Sequence, residues 1–178
     1  MEHTLLTWLE IDLVAVRANV ATLRSFVPST TQFLAVVKSN AYGHGLIRVA
    51  EAAVDAGADW LGVVATDEAL ALRDAGISVP IVVLGVTSSV DWTELARQDV
   101  RVTIADGEQL APLASYQGSR LTVHLKVETG LGRLGFAPDE LPMIVERVAS
   151  IPTVEIEGAS SHFASVEEQD LGYTARQL

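Results

Sequence analysis

A lysine, Lys38, stands between an apolar run and a polar loop that contains two glycines. The run, residues 33–37, predicts a strand that is buried on both faces. A lysine at the C-terminal end of a barrel strand lies where α/β barrels carry their chemistry, and a partly desolvated amine can attack a carbonyl to form a Schiff base. Gly43 and Gly45 allow a backbone or a phosphate to approach closely. The stretch predicts Schiff-base chemistry at Lys38; a lysine that caps a strand and points to water is the alternative.

A second group of reactive side chains lies on a predicted strand at residues 121–127. Its apolar face carries Leu121, Val123, Leu125 and Val127, and its other face carries Thr122, His124, Lys126 and Glu128. In a barrel with helices outside, the second face points inward, where a charge needs a partner or a function. An exposed strand with a solvated polar face would show the same alternation.

Three glycines after this strand spell G-x-G-x-x-G, and Glu155 follows the last of them at the spacing of a dinucleotide-binding fingerprint. That fingerprint requires the glycines to open a helix. Here Pro138 and Pro142 place the helix start later. The sequence therefore favours another role for the loop, which also carries Arg133.

Two histidines accompany these groups. His162 follows a predicted strand at residues 154–159. A single histidine is often structural, but at the C-terminal end of a barrel strand it becomes a candidate for the site. His44 lies in the loop after Lys38, and we expect it to hold that loop.

Strands and helices alternate along the chain, which predicts a parallel sheet. A half-buried antiparallel strand is predicted at residues 7–13, and a helix face (Leu13, Val16, Val20, Leu23) then runs to Pro28. Further strands are predicted at residues 60–64, 80–84 and 100–104, with helices at 66–75, 91–98, 108–116 and 167–178. Six βα units cannot close an eight-stranded barrel, which typically needs about 250 residues. We therefore expect the first part of a longer protein, or one piece of a split one.

Composition narrows the class of protein. The chain has 178 residues, 49% of them hydrophobic, no cysteine and a net charge of −11. The acidity argues against a nucleic-acid partner, and no apolar run approaches the roughly 20 residues of a membrane span. The absence of cysteine suits a reducing cytoplasm, where we expect the protein. The N-terminus shows no signal-peptide pattern.

Residues 35–45, AVVKSNAYGHG, closely resemble the cofactor-binding motif of the alanine racemases, barrel enzymes that use pyridoxal 5'-phosphate (PLP). The resemblance implies that Lys38 forms the internal aldimine with PLP, that Tyr42 lies beside the phosphate and that Leu84 lines the cofactor. It also implies a partial (β/α)8 TIM barrel in residues 13–178, preceded in residues 1–12 by a strand of a missing C-terminal β domain.

Two further segments carry the same resemblance. Residues 124–136, HLKVETGLGRLGF, are similar to the family's HLKxDTGMGRxGF, with Glu128, Leu131 and Leu134 among the variations. The resemblance implies that Lys126 can be N-carboxylated and that Arg133 contacts both the PLP phenolic oxygen and the substrate carboxylate. The segment SHFA resembles the family's THFA, which implies that His162 supports the second catalytic base through hydrogen bonds.

The function implied by the resemblance is interconversion of L-alanine and D-alanine through a PLP aldimine and a carbanion, with D-alanine supplied to peptidoglycan. Lys38 would be one base, and the other would be a tyrosine from the partner subunit of a homodimer. That tyrosine, most phosphate ligands and the arginine facing the pyridine nitrogen are absent from these residues. No metal is implied. A serine or broad-specificity racemase, or a non-catalytic PLP-binding barrel or inactive fragment, are the alternatives.

Overall fold

The computed structural model describes residues 7–178, which form one parallel sheet with helices packed on its outer side. Six strands lie in chain order, so each pairs with the next: β1 (Leu34–Val36), β2 (Trp60–Val63), β3 (Ile81–Val86), β4 (Val100–Ile104), β5 (Leu121–Lys126) and β6 (Val154–Ser160). Sequential parallel pairing through helical crossovers is the pattern of a (β/α) barrel. The predicted partial barrel is confirmed.

Helices connect the strands. They are α1 (Leu13–Ser25), α2 (Lys38–Tyr42), α3 (Leu46–Asp55), α4 (Thr66–Asp74), α5 (Trp92–Arg97), α6 (Leu110–Ala114), α7 (Leu141–Ala149) and α8 (Gly172–Gln177). The predicted final helix was too long, because only its last part is helical. None of the helices described has the length and apolarity needed to cross a membrane.

The core lies between the sheet and the helices. On β5, Leu121, Val123 and Leu125 are fully buried there, whereas Thr122 and Lys126 keep partial exposure on the opposite face. The predicted alternation of β5 is therefore confirmed. Burying the apolar half of each strand against helices supplies the main favourable term of folding.

The inner face of the sheet carries its own polar contacts. His124 on β5 lies 2.9 Å from Glu157 of β6, through Nε2 and Oε2. Glu157 also accepts a hydrogen bond from Arg101 Nε of β4 at 3.1 Å, and the Arg101 guanidinium lies over the Trp60 ring. Arg101, His124 and Glu157 are thus paired with one another across β4, β5 and β6, which offsets part of the cost of removing charged groups from water.

The prediction that the strand before Lys38 is buried on both faces is wrong. β1 is the edge strand of the sheet and pairs only with β2 among the described residues. Val36 keeps 40% of its surface exposed, although Val37 beside it is buried. A continuous apolar run predicts burial on both faces, whereas a strand at the edge of an open sheet leaves part of its inner face uncovered.

The antiparallel strand predicted at residues 7–13 is not formed. Residues 7–12 carry no strand pairing, Trp8 is 71% exposed, and Leu13 already belongs to α1. Asp12 instead caps α1, because its carboxylate accepts a hydrogen bond from the Val14 amide at 2.8 Å. Residues 1–6 lie outside the described residues, so the assignment of residues 1–12 to a β domain stays a prediction.

Candidate active site

A cavity of about 410 Å³ opens at the C-terminal ends of the strands. Every site residue that the sequence predicted lines it: Lys38, Tyr42, Leu84, Lys126, Arg133 and His162. These residues come from four separate strand ends, those of β1, β3, β5 and β6, and the loops that follow them. The parallel topology brings them together because the C-terminal ends of parallel strands lie at one edge of the sheet.

Lys38 begins a turn with an unusual backbone. Residues Ser39, Asn40, Ala41 and Tyr42 all have φ between 52° and 56°, in the left-handed region. L-residues pay roughly 1–2 kcal/mol each for that conformation. Such strain persists where the surrounding structure over-determines it, and it often marks a functional site.

The contacts that hold this turn come from both sides of it. The Glu68 carboxylate of α4 accepts the Asn40 amide at 2.8 Å and the Val64 amide at 3.2 Å. The Asn40 side-chain oxygen accepts the Leu46 amide at 2.8 Å, and Ala41 is buried. The lysine is therefore presented by a preformed turn between β1 and α3.

Tyr42 and His44 lie at the end of the same turn. The Tyr42 ring is largely exposed, and its centroid lies 6.0 Å from Lys38 Nζ. His44 Nδ1 lies 2.8 Å from the Ala41 carbonyl oxygen. This contact agrees with the expectation that His44 holds the loop.

Arg133 lies in a closed loop after β5. A bridge between Val127 and Phe136 closes its neck, with the Phe136 amide donating to the Lys126 carbonyl at 2.9 Å. Gly135 adopts φ +131°, and a Cβ there would come within 2.6 Å of the Glu128 amide nitrogen. Glycine is thus required at the neck of the loop by both backbone angle and space.

The Glu128 carboxylate occupies the interior of this loop. It accepts the Gly130 amide at 2.5 Å and the Arg133 amide at 2.9 Å. The loop glycines therefore form a backbone cradle around a carboxylate, and α7 begins only at Leu141. The dinucleotide fingerprint fails here because the glycines do not open a helix.

Glu128 should titrate far below an ordinary glutamate. The backbone amides of Arg133, Gly132 and Gly130 lower the pKa of its carboxyl to about 2. Because the folded-state pKa lies below the ordinary value of about 4.3, the contribution of this carboxylate to stability is present above that value and is lost as pH falls through about 2. A ¹³C titration of the carboxyl carbon, assigned with Glu128→Gln, should show it ionised at pH 3.5. A midpoint at pH 4 or above would contradict this geometry.

The charged side chains that line the cavity include two lysines and an arginine, Lys38, Lys126 and Arg133. Burial, and then the charge of Arg133, lower the pKa of the Lys126 amine. Burial also lowers the pKa of His162, with Arg133, Lys126 and Lys38 adding to the shift in that order. No carboxylate occurs among the lining residues in the described part of the chain, although the whole chain has a net charge of −11. The cavity is therefore suited to anionic groups.

Two residues that hold the site escaped the sequence analysis. Glu68 supports the Lys38 turn, and Gln177 contacts both the Arg133 loop and the segment with His162. Glu68 follows a strand end, which could have suggested a role near the site. No pattern in the sequence marks Gln177, because its contacts depend on the path of residues 161–171.

Comparisons with known proteins agree on one family. Residues 11–178 match the family profile described as "Alanine racemase, N-terminal domain". An alanine racemase of Symbiobacterium thermophilum is 44% identical over 97% of this chain and 46% of its own length. One from Geobacillus stearothermophilus is 40% identical over 96% of this chain and 45% of its length. The chain thus spans about half the length of the curated relatives it matches.

Solved structures show the same similarity. An alanine racemase from E. faecalis superposes with a TM-score of 0.88 and 39% identity, over 94% of this chain and 46% of that one. A histidine racemase from Leuconostoc mesenteroides superposes with a TM-score of 0.84 and 30% identity, over 93% of this chain and 45% of that one.

Proposed function

This chain belongs to the alanine racemase family, and we propose that it is the N-terminal part of a PLP-dependent racemase that interconverts L-alanine and D-alanine. The main observation behind the proposal is that Lys38 and Arg133 line the same cavity. No carboxylate occurs among the described residues that line it. A nucleophilic amine and a guanidinium suit, respectively, the aldehyde of the cofactor and the carboxylate of an amino acid.

The donor set fits PLP. Lys38 offers the amine that would hold the cofactor covalently, and Tyr42, whose ring centroid lies 6.0 Å from Lys38 Nζ, would contact the phosphate. Apolar side chains, including Leu84 and Val64, form part of the wall against which a flat ring could pack. Such a cavity, apolar with a few converging polar groups, is the usual form of a cofactor site.

The cofactor, when bound, withdraws electrons and acidifies the Cα–H of an attached amino acid. In the proposed reaction the Lys38 amine removes the Cα proton from one face of the substrate, and a second group on the opposite face delivers a proton there; in the reverse direction the two exchange roles. Arg133 holds the substrate carboxylate by paired N–H bonds and thereby orients the Cα–H toward Lys38. His162 lies beside these cations and supports the base on the other face.

Lys126 has a separate proposed role. Its lowered pKa increases the fraction of neutral amine, which is the form that reacts with CO₂. An N-carboxylated Lys126 would place an anion beside Arg133 and would compensate part of the positive charge of the cavity.

The remaining parts of the proposal concern the whole protein. We propose a homodimer in which a tyrosine of the partner subunit supplies the second base, and a cytoplasmic enzyme whose D-alanine enters peptidoglycan. The absence of cysteine is compatible with that location. The similarity to a histidine racemase favours one alternative, a racemase for serine or for a broader set of amino acids. A non-catalytic PLP-binding barrel is the other.

The 178-residue chain alone should not racemise alanine. It contains Lys38, Arg133 and His162. The proposed second base, a tyrosine of the partner subunit, would lie in the part of the relatives that this chain does not span, and a general base typically contributes about 10²–10⁴-fold. The uncovered inner face and the edges at β1 and β6 should also make it prone to associate. The measurement is conversion of L-alanine to D-alanine with added PLP, by this chain and by the full-length protein.

Comparing the chain with the full-length protein tests two claims: the racemase function of the full-length protein and the inactivity of the chain alone. Turnover by the full-length protein, together with none by the chain, supports the proposal. Absence of turnover with any amino acid in the full-length protein would overturn the racemase function. Turnover by the chain close to that of the full-length protein, abolished by Lys38→Ala, would show that a second base lies within these residues.

A further inference from the structure

A buried glutamine bridges the two loops that carry the proposed site residues. Gln177 lies at the end of α8 and is only 8% exposed. Its side-chain oxygen accepts the Ala164 amide at 3.0 Å. Its nitrogen donates to the His162 carbonyl at 3.2 Å and to the Thr129 hydroxyl at 3.4 Å. One side chain is therefore bonded to both segments at once.

Other contacts reinforce the same junction. The Thr129 and Ser161 hydroxyls form a hydrogen bond with each other, which joins the start of the Arg133 loop to the residue before His162. From α8, Tyr173 donates its hydroxyl to the Gly130 carbonyl at 2.6 Å. Gly130 and Thr129 belong to the loop whose interior is held by Glu128. The helix α8 thus contacts the Arg133 loop at two successive residues.

The chemistry of these contacts distinguishes Gln177 from a packing residue. An apolar side chain of the same length would fill the space equally well, but it would leave the Ala164 amide without its acceptor and would remove the bonds to the His162 carbonyl and the Thr129 hydroxyl. The planar side-chain amide of Gln177 accepts a hydrogen bond from the Ala164 amide, next to the His162 segment, and donates one to the Thr129 hydroxyl of the Arg133 loop. Gln177 therefore links the two segments.

We propose that Gln177 is a positioning residue that fixes the Arg133 loop relative to the His162 segment. The proposal rests on the proposed function, because it assigns Gln177 to the placement of two residues of that site. A misplacement of about 1 Å in a substrate-orienting group can cost about 10²-fold in rate. We therefore expect Gln177 to affect catalysis more than it affects folding.

The test compares Gln177→Met with Gln117→Met in the full-length protein. Gln117 is an exposed glutamine remote from the cavity, so it serves as the matched control. Gln177→Met should lower kcat/KM for alanine by about tenfold or more, within the cost of a misplaced group. Gln177→Met should also lower Tm relative to Gln117→Met, because it leaves the Ala164 amide without its acceptor. A purely structural role would lower Tm and leave kcat/KM per folded molecule unchanged.

A second readout does not depend on activity. Trypsin cleaves after arginine, so the rate of cleavage after Arg133, followed by mass spectrometry, reports how firmly the loop is held. Gln177→Met should raise that rate severalfold, and Gln117→Met should not. Unchanged kcat/KM and unchanged cleavage would overturn the proposal. If wild-type protein shows no racemisation, the proposed function fails, while the cleavage rates still decide whether Gln177 holds the loop.

A further variant covers the case in which Gln177→Met does not fold. Thr129→Val removes the hydroxyl that receives the Gln177 bond and keeps the β-branched shape. Like Gln177→Met, it should raise the rate of trypsin cleavage after Arg133. A Thr129→Val protein with wild-type cleavage and wild-type kcat/KM would contradict the bridge.

Discussion

Replacing Lys38 by alanine in the full-length protein should abolish racemisation. The variant loses the amine that holds the cofactor and also the base on one face of the substrate. A single general base typically contributes about 10²–10⁴-fold, so the combined loss should exceed about 10³-fold. The rate of D-alanine formation from L-alanine, measured with saturating PLP, gives the effect directly.

Lys38→Arg is the matched control for charge. It keeps a cation at the mouth of the left-handed turn, but a guanidinium does not form the required imine and stays protonated. We expect it to be as inactive as Lys38→Ala, which would separate the need for a nucleophilic amine from the need for positive charge. Activity within tenfold of wild type in either variant would show that another residue carries the chemistry.

Arg133→Lys should retain PLP but lose about 10²–10³-fold in kcat/KM for alanine. The substitution keeps a positive charge in the cavity, but an ammonium cannot make the paired bonds of a guanidinium to a carboxylate. Loss of a single orienting donor at a reacting centre typically costs about this much. The absorbance of bound cofactor should stay close to that of wild type, because Lys38 is unchanged.

Arg97→Lys is the control for the arginine substitution. Arg97 pairs with Glu94 on the exposed surface of α5, where a salt bridge contributes little. It should leave turnover unchanged. Unchanged turnover in Arg133→Lys as well would mean that the second motif has no role in holding the substrate.

Several strands and helices, and the clustering of the site residues, could be predicted from the sequence. β4 begins at Val100 and ends at Ile104 as predicted, because a short run rich in β-branched residues between Asp99 and Ala105-Asp106 has few alternative interpretations. The predicted residues meet in one cavity, since each lies in the C-terminal half of a strand of the same parallel sheet or in the loop that follows one. Their catalytic roles stay predictions.

Other features depended on tertiary contacts. The left-handed turn at residues 39–42 contradicts the local preference of its non-glycine residues, and it exists because Glu68 and Asn40 hold it. The exposure of β1 depends on its position at the edge of the sheet, which an apolar run does not reveal. The strand predicted at residues 7–13 lacks a sheet partner among the described residues, so its alternating pattern gave no strand.

The proposal that Lys38 binds PLP covalently can be tested directly, because the 178 residues contain two lysines. These are Lys38 and Lys126, and both line the cavity. The full-length protein is incubated with PLP, reduced with borohydride and digested, and the pyridoxyl group is located by mass spectrometry. Lys38→Ala is the control. We expect the pyridoxyl group on Lys38 and its loss from that site in the variant. A pyridoxyl group on Lys126, with Lys38 unmodified, would contradict the proposal.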